Sequence, residues 1–160
     1  MKPMAPLTGR DNYFEDFEVG TIFRHARGKT VTVLENVLIT NLVMNTAQEH
    51  FNEHLMRSSP HGGVLVFGGV QLALVLGLSS QDCCENAIAE LGLDNVRLLT
   101  PVTQGMTIYA VTEVLEKLDS DQEDAGIVVF RHAGIDGDNR LILEVDRRVL
   151  LKRRKPQGHK

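Results

Sequence analysis

The chain has 160 residues, of which 42% are hydrophobic and 24% charged, and a formal net charge of −4. That length suits one domain with a single core, and the composition excludes wholesale disorder. The acidic balance argues against the basic face that generic nucleic-acid binding requires.

Residues 1–12, with Pro3, Pro6 and Gly9, read as a loose leader that lacks the apolar stretch of a signal peptide. Residues 13–20 (YFEDFEVG) form an aromatic and acidic segment ending in a turn glycine. Residues 21–26 predict a short strand broken by Gly28, and 30–33 a second strand-like piece. Over 34–46 the apolar residues Leu34, Val37, Leu38, Leu42 and Val43 recur at spacings of 3 and 4, which predicts an amphipathic helix. Residues 47–63 are polar and irregular and hold His50, His54 and His61. They predict a loop with one short helix.

Residues 64–78 are the longest apolar stretch, 15 residues with Gln71 as the only polar side chain. A membrane span needs about 20 residues. The stretch therefore predicts a helix buried on nearly every side, closed by Gln81 and Asp82. The second half changes period. Residues 95–101 are strand-like and 103–105 form a turn. Residues 107–118, 127–135 and 141–151 alternate as strands, with a hairpin signal at Asp136-Gly137-Asp138-Asn139. From Lys152 a basic tail is expected to fray. One domain over 13–152 with a tail over 153–160, helices first and an antiparallel meander after, is an α+β layout.

Cys83 and Cys84 are the only cysteines, and neighbours in sequence rarely form a structural disulfide. Reduced thiols in a cytoplasmic setting are expected, and no Cys/His spacing resembles a zinc site. The polar loop is the best place for chemistry, because it sets Asn45, His50 and Asn52 just before the apolar run. A histidine titrates near neutrality and suits acid/base work. Gly68 and Gly69 have two readings. Exposed N–H groups at a helix start hold an oxyanion, whereas glycines also let a helix press against a strand.

Taken together, these segments resemble the MaoC-like dehydratases, the (R)-specific enoyl-CoA hydratases. That family carries a motif near G-D-x-N-P-[LI]-H-x-[DN] and, later, a helix start of the type V-H-G-M. Here 45–52 (NTAQEHFN) matches the first. His50 falls on the family histidine, Asn45 on its aspartate and Asn52 on the polar position beyond. Val66-Phe67-Gly68-Gly69 matches the second. Residues 95–107 resemble the family's strand, turn and strand around F-x-x-P-V-x-x-G-D, and 13–20 resemble a common opening.

The resemblance implies a hot-dog fold, with a long helix wrapped by a curved antiparallel sheet and two such units joined edge to edge. A homodimer, or a trimer of such dimers, is expected. It also implies reversible addition of water to a trans-2-enoyl-CoA, for a short or branched chain such as mesaconyl-CoA. His50 and Asn45 are then the catalytic pair, and Gly68, Gly69, Asn52 and Arg97 contact substrate. Arg97 would counter a second carboxylate. The expected cofactor is none beyond the coenzyme A of the substrate; no metal, nucleic acid or membrane partner is expected. Asn45 accepts a hydrogen bond but takes no proton, so a non-catalytic acyl-CoA binder stands as the alternative. A thioesterase ranks third.

Overall fold

The computed structural model describes residues 12–155. What was expected of residues 1–11 and 156–160 lies outside the described residues.

Five antiparallel strands form one sheet in the order β1-β3-β4-β5-β2. They are β1 (Ile22–Thr30), β2 (Ala87–Leu98), β3 (Thr107–Asp119), β4 (Ala125–Ile135) and β5 (Leu141–Lys152). The three strands read from alternation are the middle of the sheet, where β4 pairs continuously with both neighbours. A long helix, α3 (Gly68–Cys83), lies against this sheet. Close approach there depends on Gly134 in β4, where a Cβ would meet Val75 Cγ2 at 2.7 Å. The core divides along the helix. One part gathers Val31, Val70, Val75, Val102, Ile108 and Leu143. The other gathers Phe14, Phe17, Phe23, Cys83, Phe130 and Leu151.

Several expectations change. Helix α3 begins at Gly68 rather than at residue 64. Residues 64–66 are not helical, because their backbone groups find partners outside α3. Leu65 N–H donates to Glu49 O at 2.9 Å, Val66 N–H to Val102 O at 2.8 Å, and Gln104 N–H to Val64 O at 3.2 Å. The helix also runs past residue 78, and Ser79 and Ser80 spend their hydroxyls on Leu76 O at 3.0 and 2.6 Å. Its burial is one-sided. Val70, Gln71, Val75, Ser79 and Cys83 are buried, while Ala73 and Gly77 are exposed.

The first helix, α1 (Val33–Leu42), opens on a capping box in which Glu35 N–H donates to Thr32 Oγ1 and Thr32 N–H to Glu35 Oε2. Its apolar stripe does not face the core. Leu34 and Leu42 are each 72% exposed, and the buried residues are Asn36 and Thr40. Strand β1 passes through Gly28, because a register shift between Arg24 and Gly28 absorbs the irregularity. Only Thr30 of the second strand-like piece is in a strand, and it belongs to β1. Strand β2 starts at Ala87, well before residue 95. It is an edge strand with three register shifts and most of its side chains exposed, so its pattern shows no clean alternation.

The ends of the described chain are held. Asn12, expected in a loose leader, is buried and donates to Gln81 O at 3.0 Å. At the other end, Arg153 N–H donates to Asp124 O at 2.7 Å and Arg154 pairs with Asp16 at 2.6 Å. The first basic residues after β5 therefore do not fray. Among the described residues no helix is long and apolar enough to cross a membrane.

Candidate active site

The polar loop folds as a 3-10 turn at Gln48–His50 followed by a short helix, α2 (Glu53–Met56). The turn directs the His50 ring inward, where it is 9% exposed and 5.5 Å from the Phe67 ring. His50 Nδ1 lies 3.2 Å from Leu65 O. A carbonyl oxygen only accepts, so Nδ1 carries the hydrogen, and in the neutral ring Nε2 holds the lone pair. Among the described residues Nε2 has no hydrogen-bond partner.

Asn36, fully buried on α1, ties this arrangement together. Its amide donates to His50 O at 2.9 Å and to Leu65 O at 3.0 Å, and accepts from Phe67 N–H at 3.0 Å. One side chain thus clamps the histidine loop, segment 64–66 and the entry to α3. This explains why a polar residue occupies the inner face of α1. Both of its hydrogen-bonding ends are satisfied, which removes most of the cost of its burial.

Beside His50 lies a cavity of about 300 Å³, lined also by Leu65, Val66, Gly68, Gln71 and residues 98–102. Gly68 is the first residue of α3. The first N–H groups of a helix have no acceptor within it, and Val70 and Gln71 already donate to Phe67 O. The helix start therefore offers unpaired N–H groups and the positive end of its dipole, with no acidic residue in the first turn. Gly68 also lies close to strand β2. A Cβ there would meet Leu98 Cδ1 at 2.5 Å. The close-packing reading of this glycine is thus met.

The structure brings together His50 and Gly68. It leaves the other expected residues outside the cavity lining. Asn45 is half-buried, and its Oδ1 accepts from Ala47 N–H at 3.0 Å, closing a turn on its own backbone. Asn52 caps α2, accepting from Leu55 N–H at 3.0 Å and donating to Gln48 Oε1 at 2.6 Å. Arg97 is an exposed residue of β2 paired with Glu144. Gly69 packs its backbone under the Phe67 ring. Asn36 and Gln71 were not expected in the site. Gln71 did carry a signal, as the one polar residue of an apolar run.

A second histidine cluster lies near the far end of α3. His25 Nδ1 bonds Asp82 Oδ2 at 2.7 Å and His25 Nε2 bonds Thr112 Oγ1 at 2.6 Å. The same hydroxyl bonds His132 Nδ1 at 2.7 Å. Burial holds the His25 pKa below its ordinary value of 6.5 against the opposing pull of Asp82. Burial, with Arg147 and His25 nearby, pushes that of His132 well below. Ligand atoms of His25, Cys83 and His132 lie within 4.8 Å of one another. Thr112 already bonds both rings, so the trio is a hydrogen-bonded core rather than an open ligand set. The Cys83 thiol is pushed up by burial, and that of Cys84 to about 11 for the same reason, so neither is a ready nucleophile.

A family model described as mesaconyl-CoA hydratase matches residues 4–153. A mesaconyl-CoA hydratase of Haloarcula marismortui is 29% identical over 167 residues, covering 96% of this chain and 45% of that protein. A beta-methylmalyl-CoA dehydratase of Chloroflexus aurantiacus is 34% identical over 110 residues, covering 69% of this chain and 31% of that one. The chain thus spans less than half the length of these relatives. Among solved structures, a chain from Chloroflexus aurantiacus described as a MaoC domain protein superposes with a TM-score of 0.85 at 29% identity, over 92% of this chain and 46% of that one. A Mycobacterium tuberculosis protein described as having a double hotdog fold gives 0.80 at 24% identity, over 92% and 46%. The expected α+β hot-dog fold is therefore present, with α3 against the five-stranded sheet.

Proposed function

The chain belongs to the mesaconyl-CoA hydratase family of MaoC-like dehydratases, and on that premise we propose that it adds water reversibly to the double bond of a 2-enoyl-CoA. The shared cavity of His50 and Gly68 is the observation that carries this reading. Its size, about 300 Å³, suits a short or branched acyl chain. Mesaconyl-CoA, named for the relatives, is the first substrate to try.

In this proposal His50 Nε2 takes a proton from water as the water oxygen bonds to the β-carbon. The electron pair of the double bond moves toward the α-carbon and the thioester oxygen. An N–H at the Gly68 helix start holds that oxygen while it carries negative charge. The proton on Nε2 then passes to the α-carbon. Asn36, through His50 O and Leu65 O, keeps the ring and its tautomer in place. Asn45 acts on the loop that carries His50, because its oxygen is spent on Ala47. Substrate supplies its own coenzyme A, and no further cofactor enters the scheme.

The unpaired edge of β2 gives a reason to pair with a second unit. Leu91, Val96 and Leu98 are 46%, 45% and 56% exposed along it, and an apolar open edge is a liability unless covered. A homodimer across β2 would place two units together, as in the double hotdog fold described for the Mycobacterium tuberculosis protein. A cytoplasmic setting suits the two free thiols.

The test is loss of enoyl-thioester absorbance with crotonyl-CoA and mesaconyl-CoA, by wild type and by His50→Ala. Turnover that falls by about 10²–10⁴ in the variant supports the proposal. The second reading, a non-catalytic acyl-CoA binder, rests on the amide at Asn45. It would show tight acyl-CoA binding without turnover. Release of free thiol would instead indicate a thioesterase.

A further inference from the structure

The cavity has a polar wall that the scheme above leaves unused. Gln71, one turn into α3, is 5% exposed and lines the same space as His50 and Gly68. Its Nε2 donates to Val66 O at 2.9 Å. That bond sets the orientation of the amide, since a flipped side chain would place two acceptors together. That leaves Oε1 as the free end of the amide, buried with no hydrogen-bond partner among the described residues, on a side chain that lines the cavity. A buried acceptor without a donor is costly to the folded state and calls for an explanation. A ligand that brings a donor into the cavity supplies one.

We propose that Gln71 Oε1 accepts a hydrogen bond from the oxygen that is added to the β-carbon: from the attacking water in hydration, and from the 3-hydroxyl group in dehydration. The inference rests on the hydratase reading and adds a positioning residue to it. Water has two hydrogens. One goes to His50 Nε2, and the other needs an acceptor if the oxygen lone pair is to face the β-carbon. Gln71 is neutral throughout and neither gains nor loses a proton. Its part is orientation, a task that Asn45, closed on Ala47, does not share. A saturated acyl chain leaves Oε1 unpaired. A 3-oxo chain sets an acceptor against it. The site should disfavour both.

Titration calorimetry with 3-hydroxybutyryl-CoA and butyryl-CoA, which differ by one oxygen, tests this directly. Wild type should bind the better 3-hydroxy enantiomer about tenfold or more tightly than butyryl-CoA. In Gln71→Met, of similar volume, that ratio should collapse toward one while butyryl-CoA affinity holds. General loosening of the helix start would weaken both ligands and leave the ratio intact, which overturns the proposal. Equal affinities in wild type overturn it as well, even where Gln71→Met fails to fold. Equal affinities with crotonyl-CoA turnover intact leave the hydratase reading standing. Binding of neither ester by wild type, with no turnover, overturns both.

Discussion

Helix α3 has a histidine site toward each end, and the two use the same side chain in opposite ways. Near its start, His50 donates from one ring nitrogen to Leu65 O and lines a cavity. Near its end, His25 and His132 are 1% and 0% exposed and share Thr112 between them. Directionality is complete there. Asp82 accepts from His25 Nδ1–H, so Thr112 donates to His25 Nε2 and accepts from His132 Nδ1–H. The donors thus run from His132 to Asp82, and His132 Nε2 is left buried without a partner among the described residues. A histidine becomes chemically useful where space meets its bare nitrogen. Where packing fills that space, the same group stiffens the core.

The largest expected effect separates the two sites by activity. His50→Ala should lower turnover by about 10²–10⁴ with little change in melting temperature, because its ring borders a cavity. Breaking the sealed cluster should do the reverse. Thr112→Val, nearly isosteric, leaves His25 Nε2 and His132 Nδ1 each short of a partner. It should cost about 1–3 kcal/mol of stability, read by denaturant unfolding. Equal loss of turnover and stability in both variants would erase the contrast.

Acid should also act on the sealed end. His25 and His132 have folded pKa values below the ordinary 6.5, so below that pH the unfolded chain binds protons that the folded chain refuses. Their contribution to stability is complete above about 6.5 and declines as pH falls through the window beneath it. Melting curves across pH 5–8 should show this decline, and His132→Phe should flatten it if the variant folds. The smallest effect belongs to the loop of the open site. Asn52→Ala removes the cap of the four-residue helix α2 and should cost about 1 kcal/mol. Its turnover should stay near that of wild type, since Asn52 does not line the cavity.

The contrast bears on how much was legible beforehand. Strands β3, β4 and β5 were read nearly to the residue, because burial in the middle of the sheet keeps them rich in apolar residues between clear turn signals. Edge strand β2 was read only at its end. Most of its side chains are exposed, so burial imposes no period on it. The stripe of α1 was read only as an amphipathic pattern. Periodicity reports that apolar residues share a side, not what covers that side, and here Leu34, Leu38 and Leu42 stand exposed in the single chain. In the site, His50 and Gly68 were found through motif spacing. Asn36 was not, because nothing local marks a polar residue whose three partners lie 14, 29 and 31 positions away.

The order of elements, the meander and the pairing of a loop histidine with a glycine at a helix start were determined by residue pattern alone, since alternation, turn chemistry and spacing are local properties. The tautomer of His50, the release of Asn45 and Arg97 from the cavity, and the unpaired oxygen of Gln71 were decided only in three dimensions. Each depends on which distant group supplies, or fails to supply, a hydrogen-bond partner, and that is settled when the sheet and α3 close on one another.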